Sequence, residues 1–384
     1  MRSVALLGMA PCLAVAASLA AAPQESRPLT VQGAPPGAYE AAIRGPEFHA
    51  PHPAFREFEE FSSPRIRRLR EEYGLDAVVA GETSEFRRML KLRNWIFQRW
   101  PIDNDQKSGG DVFAILEKAK AGYGFYCSHS MLVQHAVMTA MGYVARDLGV
   151  DSDHLAFGKS NHHGMNDVWS NEYGKWVLFD AKYDVHYERD GVPLSSLEVH
   201  EAVRANLGKG LVKMQGPERR EAPMKGLEYP TSSVLSYWWI GYTTGMRTFT
   251  GKSEGGGIVV LDSDAFRRTR WFRGGENSLS DHWAYRANAF IPTRDRNQID
   301  WSVGVPGVEL RQAARGELVV TLASVTPNLE TYRVRVGEGA WQDIAGSQWR
   351  WKLGPGENTL AVRTRNRFGV EGPVVTAVVK PGAR

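Results

Sequence analysis

Apolar residues recur at helical spacing in the first half of the chain and at strand spacing in its last third. Between Ser84 and Trp100, the residues Phe86, Met89, Leu90, Trp95, Ile96 and Trp100 fall mostly three or four apart. That predicts an amphipathic helix which Pro101 stops. Ser63-Pro64-Arg65-Ile66 opens an earlier helix, with proline near its first position, that runs on through Leu69 and Tyr73. Gly109-Gly110 breaks the chain; Asp111 to Lys120 reads as a short helix, and Met131-Leu132-Val133 through Met141 as another. The period then changes to two. Val168-Trp169 and Trp176-Val177-Leu178-Phe179 are rich in β-formers and flank Asn171-Glu172-Tyr173-Gly174, which has turn chemistry, so a β-hairpin is expected. Asp184, His186 and the segment 194–207 add a strand and a helix. From Asn297 onward, short and mostly alternating runs at 299–303, 316–322, 332–336, 349–353, 359–363 and 374–379 are separated by Gly, Pro and Asn turns. Their spacing is that of a β-sandwich.

Two patterns in 384 residues predict two domains and an α+β fold class. The expected boundaries are a signal peptide at 1–22, an extended lead-in at 23–53 and an α/β domain at 54–207. A linker with an aromatic-rich connecting region follows at 208–296, and an all-β domain at 297–381. The lead-in holds Pro28, Pro35-Pro36, Pro46, Pro51 and Pro53 and reads as lacking stable structure of its own. Tyr237-Trp238-Trp239 and Trp271-Phe272 suit packing between domains or a platform for a sugar or peptide. Arg2, the apolar stretch from Val4 to Leu19 and Ser18-Leu19-Ala20-Ala21-Ala22 form an export signal, which implies a periplasmic or secreted protein. No other apolar run approaches the roughly 20 residues that span a bilayer, so no integral membrane segment is expected after signal removal.

Cysteine usage changes the picture. Of two cysteines, Cys12 lies in the signal, which leaves Cys127 as a lone thiol that has no internal disulfide partner and faces oxidation outside the cytosol. It is either a small buried hydrophobe or a nucleophile. Cys127 sits where the glycine-rich run Gly122-Tyr123-Gly124-Phe125-Tyr126 turns into a helix, among unpaired N–H groups that favour a thiolate. His163 and Asp180 follow in the order that a base and its orienting carboxylate need. If Trp169 pairs with Trp176, Met165 faces Asp180 and His163 is its diagonal neighbour on one face of the hairpin; a slip of one residue would substitute His162. His129, two positions after the thiol, points far round the helix and is a poor base.

Together these residues resemble the transglutaminase-like superfamily. The resemblance rests on Cys127 after its glycine-rich approach, Gly142-Tyr143-Val144-Ala145-Arg146 after the helix, His163 leading into Asp167-Val168-Trp169, and Trp176-Val177-Leu178-Phe179-Asp180. Departures fall at Phe125, Val144 and Asp167, where members often carry Gly, Pro and Glu. The resemblance implies a papain-like catalytic core with Cys127, His163 and Asp180 as its triad, and Gln98 or Trp100 as a possible upstream oxyanion donor. The C-terminal pattern resembles an immunoglobulin-like or fibronectin-like sandwich that docks or spaces the core. The function so implied is an exported thiol amidase, protease or protein-glutamine acyltransferase acting on a peptide or protein substrate, with cell-wall peptide among the candidates. The alternative is a catalytically inactive copy serving as an extracytoplasmic binding or scaffold protein.

Other chemistries find little support. His154, His162, His163 and Asp167 lack metal-ligand spacing, so no metal and no cofactor is expected. Gly251-Lys252-Ser253 fails as a phosphate loop because Met246 stands where glycine is required. A net charge of +4 on 47 basic and 43 acidic residues, without long basic runs, argues against a nucleic-acid partner.

Overall fold

The computed structural model describes residues 26–55, 58–102, 111–152, 162–206, 208–224, 237–245, 257–262 and 290–382. The expected signal peptide, Gly109-Gly110, His154 and Trp271-Phe272 lie outside them. Among the described residues, no helix is long and apolar enough to cross a membrane.

The chain starts with three short strands, β1 (Arg27–Pro28), β2 (Val31–Gln32) and β3 (Tyr39–Arg44). Four helices follow, α1 (Pro64–Glu72), α2 (Leu75–Val78), α3 (Glu85–Phe97) and α4 (Val112–Lys120), and then α5 (Cys127–Ala140). Their ends are those that the sequence dictates. Pro64 opens α1, the Ser84 hydroxyl accepts from Arg87 N–H at 3.2 Å, and the Asp111 carboxylate accepts from Phe113 N–H at 2.8 Å. The apolar stripe of α3 packs with α1, α4 and α5 into one core, joined by Val168, Val177 and Phe179 from the hairpin.

That hairpin is β5 (His162–Ser170) and β6 (Lys175–Phe179), beside β4 (Ala145–Ser152). Trp169 pairs with Trp176 and Asn166 with Phe179, the register in which His163 is diagonal to Asp180. Beyond Asp180 come β7 (Val185–Arg189), β8 (Val192–Pro193), α6 (Ser196–Asn206), β9 (Val212–Gln215) and β10 (Arg220–Ala222). Next are β11 (Tyr237–Thr243), β12 (Ile258–Leu261) and β13 (Phe290–Thr293). The last seven strands are β14 (Gly307–Ala314), β15 (Glu317–Ala323), β16 (Leu329–Val336), β17 (Gln342–Ile344), β18 (Gln348–Lys352), β19 (Asn358–Asn366) and β20 (Val375–Pro381).

These strands form four sheets. Two belong to the α/β part, ordered β13-β12-β11-β4-β5-β6 and β10-β9-β7-β8. Two make the C-terminal sandwich, ordered β1-β3-β20-β19-β16-β17 and β18-β15-β14-β2. Apolar residues from both sandwich sheets, including Leu310, Val320, Val334 and Val362, share one core with Trp169, Trp176 and Leu178 on the far face of the hairpin. Trp301 joins the two parts, its ring 4.9 Å from that of Trp176 and its carbonyl accepting from Trp176 Nε1–H at 2.7 Å.

Three expectations are corrected. The lead-in at 23–53 is not structureless: β3 pairs with β20 over six residues and β2 with β14. Prolines hid this, yet short edge strands tolerate them, and Tyr39, Ala41 and Ile43 alternate against the core. The linker at 208–296 contributes β9 and β10 to the sheet of β7, and β11, β12 and β13 to that of β4. Finally, Ile299, Trp301 and Val303 are buried as their alternation suggests, but the segment is not a strand; Ser302 N–H donates to the carbonyl of His49 and Gly304 N–H to that of Val325. Strand β14, absent from the expected set, supplies only Val308 and Leu310 to the core, a run too short to stand out as a period.

Candidate active site

Cys127 is the first residue of α5, with Tyr126 as N-cap, and its side chain is partly exposed. Gly122 makes the turn out of α4 at φ +87°, a conformation that L side chains rarely adopt. Phe125 is fully buried with its ring edge-on to Trp100 at 5.3 Å, which anchors the approach to the thiol. Gly164, beside the histidine, lies against the first turns of the helix: a Cβ there would fall 3.1 Å from Met131 Sδ and 3.7 Å from Ser128 Cα. The missing side chain lets α5 come down onto β5.

His163 Nε2 and Asp180 Oδ2 are 2.8 Å apart, and both residues are buried. The second carboxylate oxygen, Oδ1, accepts from Lys182 N–H at 3.0 Å. Held at both oxygens, the carboxylate receives the Nε2 proton, which leaves Nδ1 as the nitrogen able to serve a thiol. The Cys127 side chain interacts with this imidazole. Burial opposes a charge on His163, but the field and hydrogen bond of Asp180, together with those of Cys127, outweigh it and raise the pKa to about 10. At neutral pH the ring is an imidazolium, the partner that a thiolate requires. The Tyr183 ring covers one side of it, with centroids 5.8 Å apart.

Residues 75–181 match the family model of the transglutaminase-like superfamily. This segment is a transglutaminase-like core. The match takes in Cys127, His163 and Asp180 and ends one residue past the carboxylate. No curated protein matches the chain.

Two buried networks frame the transglutaminase-like core. In the first, Arg146 of β4 lies between the rings of Trp176 and Tyr242, 4.1 and 4.2 Å from their centroids, and donates to Asp167 at 2.7 Å and to the Ile299 carbonyl. Asp167 also accepts from the Ser196 backbone and hydroxyl, at 3.0 and 2.8 Å. This knot joins β4, β5, α6 and β11, so a carboxylate at position 167 acts as a structural partner of the arginine.

In the second, Arg93 of α3 reaches the turn that follows Asp180. Arg93 is not among the residues that the motifs of the sequence single out. Its signal was a charged residue on the apolar stripe of α3, three residues before Ile96 and four after Met89. The upstream donors suggested by resemblance are placed as follows. Gln98 donates its amide to Asn94 at 2.9 Å, and Trp100 packs on Phe125. Among the described residues, no group of three or more His, Cys, Asp or Glu could hold a metal ion.

Proposed function

We propose that the chain is an exported thiol enzyme that cleaves or transfers acyl groups at amide bonds of peptides or proteins. The observation that carries this reading is the 2.8 Å contact between His163 and Asp180, with the imidazole placed against a thiol at a helix N-terminus. In the reaction so derived, the Cys127 thiolate attacks the amide carbonyl carbon, and the carbonyl oxygen takes the negative charge. The backbone N–H of Cys127, at the open end of α5, is a donor for that oxyanion. Imidazolium Nδ1–H gives its proton to the departing amine, and the C–N bond breaks to leave a thioester. The now neutral His163 takes a proton from water as the water attacks the thioester, which releases the carboxylic acid and restores the ion pair. An amine in place of water gives transamidation. Hydrolysis is the preferred outcome, with cell-wall peptide among the substrates, and the sandwich reads as an immunoglobulin-like module that docks or spaces the core.

The stretch 1–22, read as an export signal, supports a reaction outside the cytoplasm, where a single thiol in no disulfide makes sense as a nucleophile. The test is amine release from peptides and cell-wall fragments by wild type and by Cys127→Ala. Release by wild type alone is expected. Equal release by the two would refute the enzyme reading, and an unreactive thiol would favour the silent binding fold.

A further inference from the structure

Behind Asp180 lies a chain of buried groups that the reaction above does not use. Residues 181–184 form a closed turn, in which Asp180 N–H donates to the Val185 carbonyl at 3.0 Å and Val185 N–H donates back at 3.1 Å. The turn ends on Asp184, which has φ +54° without being glycine, a conformation costing on the order of 1 kcal/mol or more unless its surroundings hold it. They do hold it. Arg93 Nε donates to Asp184 Oδ1 at 2.8 Å, its second amino group to the Asp184 carbonyl at 3.1 Å, and Asn94 Nδ2 to Oδ2 at 2.7 Å. Gly216 N–H donates to that same carbonyl at 3.1 Å. The remaining Arg93 amino group lies 3.0 Å from His186 Nδ1, so that nitrogen is the acceptor and Nε2–H donates to Glu188 at 2.7 Å. Arg219 closes the chain with two bonds to Glu188, at 2.8 and 2.7 Å.

We propose that Arg93 is a positioning residue for the site: by clamping Asp184 it fixes the turn that aims the Asp180 carboxylate at His163 Nε2. The Arg93 guanidinium is fully buried, over the Phe179 ring, the residue next to Asp180. It ties the helix layer that packs around α5 to the strand end that carries the carboxylate. The groups bearing on Asp180 are His163 from β5, Arg93 from α3, Lys213 from β9, Tyr187 from β7 and the Lys182 backbone from the turn. Burial pulls Arg93 below its ordinary pKa, while Asp184 first and then Asp180 favour its charge. A mere core ion pair would contribute only stability. The positioning role also sets whether His163 keeps both of its ring protons at neutral pH.

This inference rests on the enzyme reading, and the two fail separately. The experiment records nitrogen-15 spectra of the His163 ring and the alkylation of Cys127 by iodoacetamide at pH 6.5, in wild type, Arg93→Gln and Arg93→Lys. The double variant Arg93→Gln/Asp184→Asn avoids leaving a lone buried charge if Arg93→Gln alone does not fold. Expected in the folded variants is loss of the wild-type imidazolium signature, in which both ring nitrogens are protonated, and at least tenfold slower alkylation, with Arg93→Lys between wild type and Arg93→Gln because it keeps the charge but not the three-way fork. Folded variants with wild-type His163 spectra and alkylation overturn the proposal. If wild-type Cys127 itself reacts as an ordinary thiol while the variants still change the His163 spectrum, the enzyme reading falls and the positioning role stands.

Discussion

Replacing Asp180 by Asn removes one charge and almost no volume, which isolates what the carboxylate does for the imidazole. In the folded protein His163 is held at about 10 against an ordinary 6.5. That difference corresponds to roughly 5 kcal/mol in favour of the imidazolium, at about 1.36 kcal/mol per unit. Burial pushes the other way, so removing the Asp180 charge and hydrogen bond moves the ring toward its neutral form, with Cys127 alone left to oppose burial. The amide would also present N–H where Oδ2 now accepts, driving the proton from Nε2 to Nδ1, the wrong tautomer for a base facing sulfur. Without its imidazolium the thiol returns toward a pKa of about 8.5, where only about 1% is thiolate at pH 6.5. The assay is the rate of iodoacetamide alkylation of Cys127 from pH 5 to 10. Wild type should react nearly independently of pH between about 6 and 8, and Asp180→Asn about 100-fold more slowly at pH 6.5, converging near pH 9. A variant that keeps the wild-type rate at pH 6.5 would show that the carboxylate does not sustain the ion pair.

Three further expectations concern the frame. Arg146→Met should destabilise by about 3–5 kcal/mol in denaturant titration, because Asp167 is left as a buried charge, and Arg146→Met/Asp167→Leu should recover part of that loss. Burial lowers both His186 and His200 to about 4 in the fold against 6.5 unfolded, so the unfolded chain binds protons first. Stability should therefore fall as pH drops from 6.5 to 4, by about 3 kcal/mol for each group, with Glu85, raised by burial to about 6, offsetting part of it; His200→Leu should flatten the decline seen by thermal unfolding. Deleting residues 26–46 should lower the thermal midpoint and promote association in light scattering, because it strips β3 from β20 and leaves a bare strand edge; an unchanged midpoint would count against those strands as part of the sandwich.

Much of the site was legible in the chain because its signals are local. A glycine-rich run before Cys127 dictates a helix start, and Asn171-Glu172-Tyr173-Gly174 dictates a two-strand turn. That turn left two registers open, one for each of His162 and His163; the observed pairing of Trp169 with Trp176 is the one that makes His163 diagonal to Asp180. Helix ends at Ser84 and Asp111 were equally readable, since a cap needs only its own residue and the next three. Long-range pairing had no such local mark. That β3 completes a sheet with β20, that β11 lies beside β4, and that Arg93 holds the turn after Asp180 depend on segments far apart in sequence, whose hydrogen bonds exist only once the cores have closed. Local propensity and period set the elements and the order of thiol, imidazole and carboxylate. Only packing decided which buried charge steadies them, because the cost of leaving a guanidinium or carboxylate unpaired in an apolar interior is set by its neighbours in space.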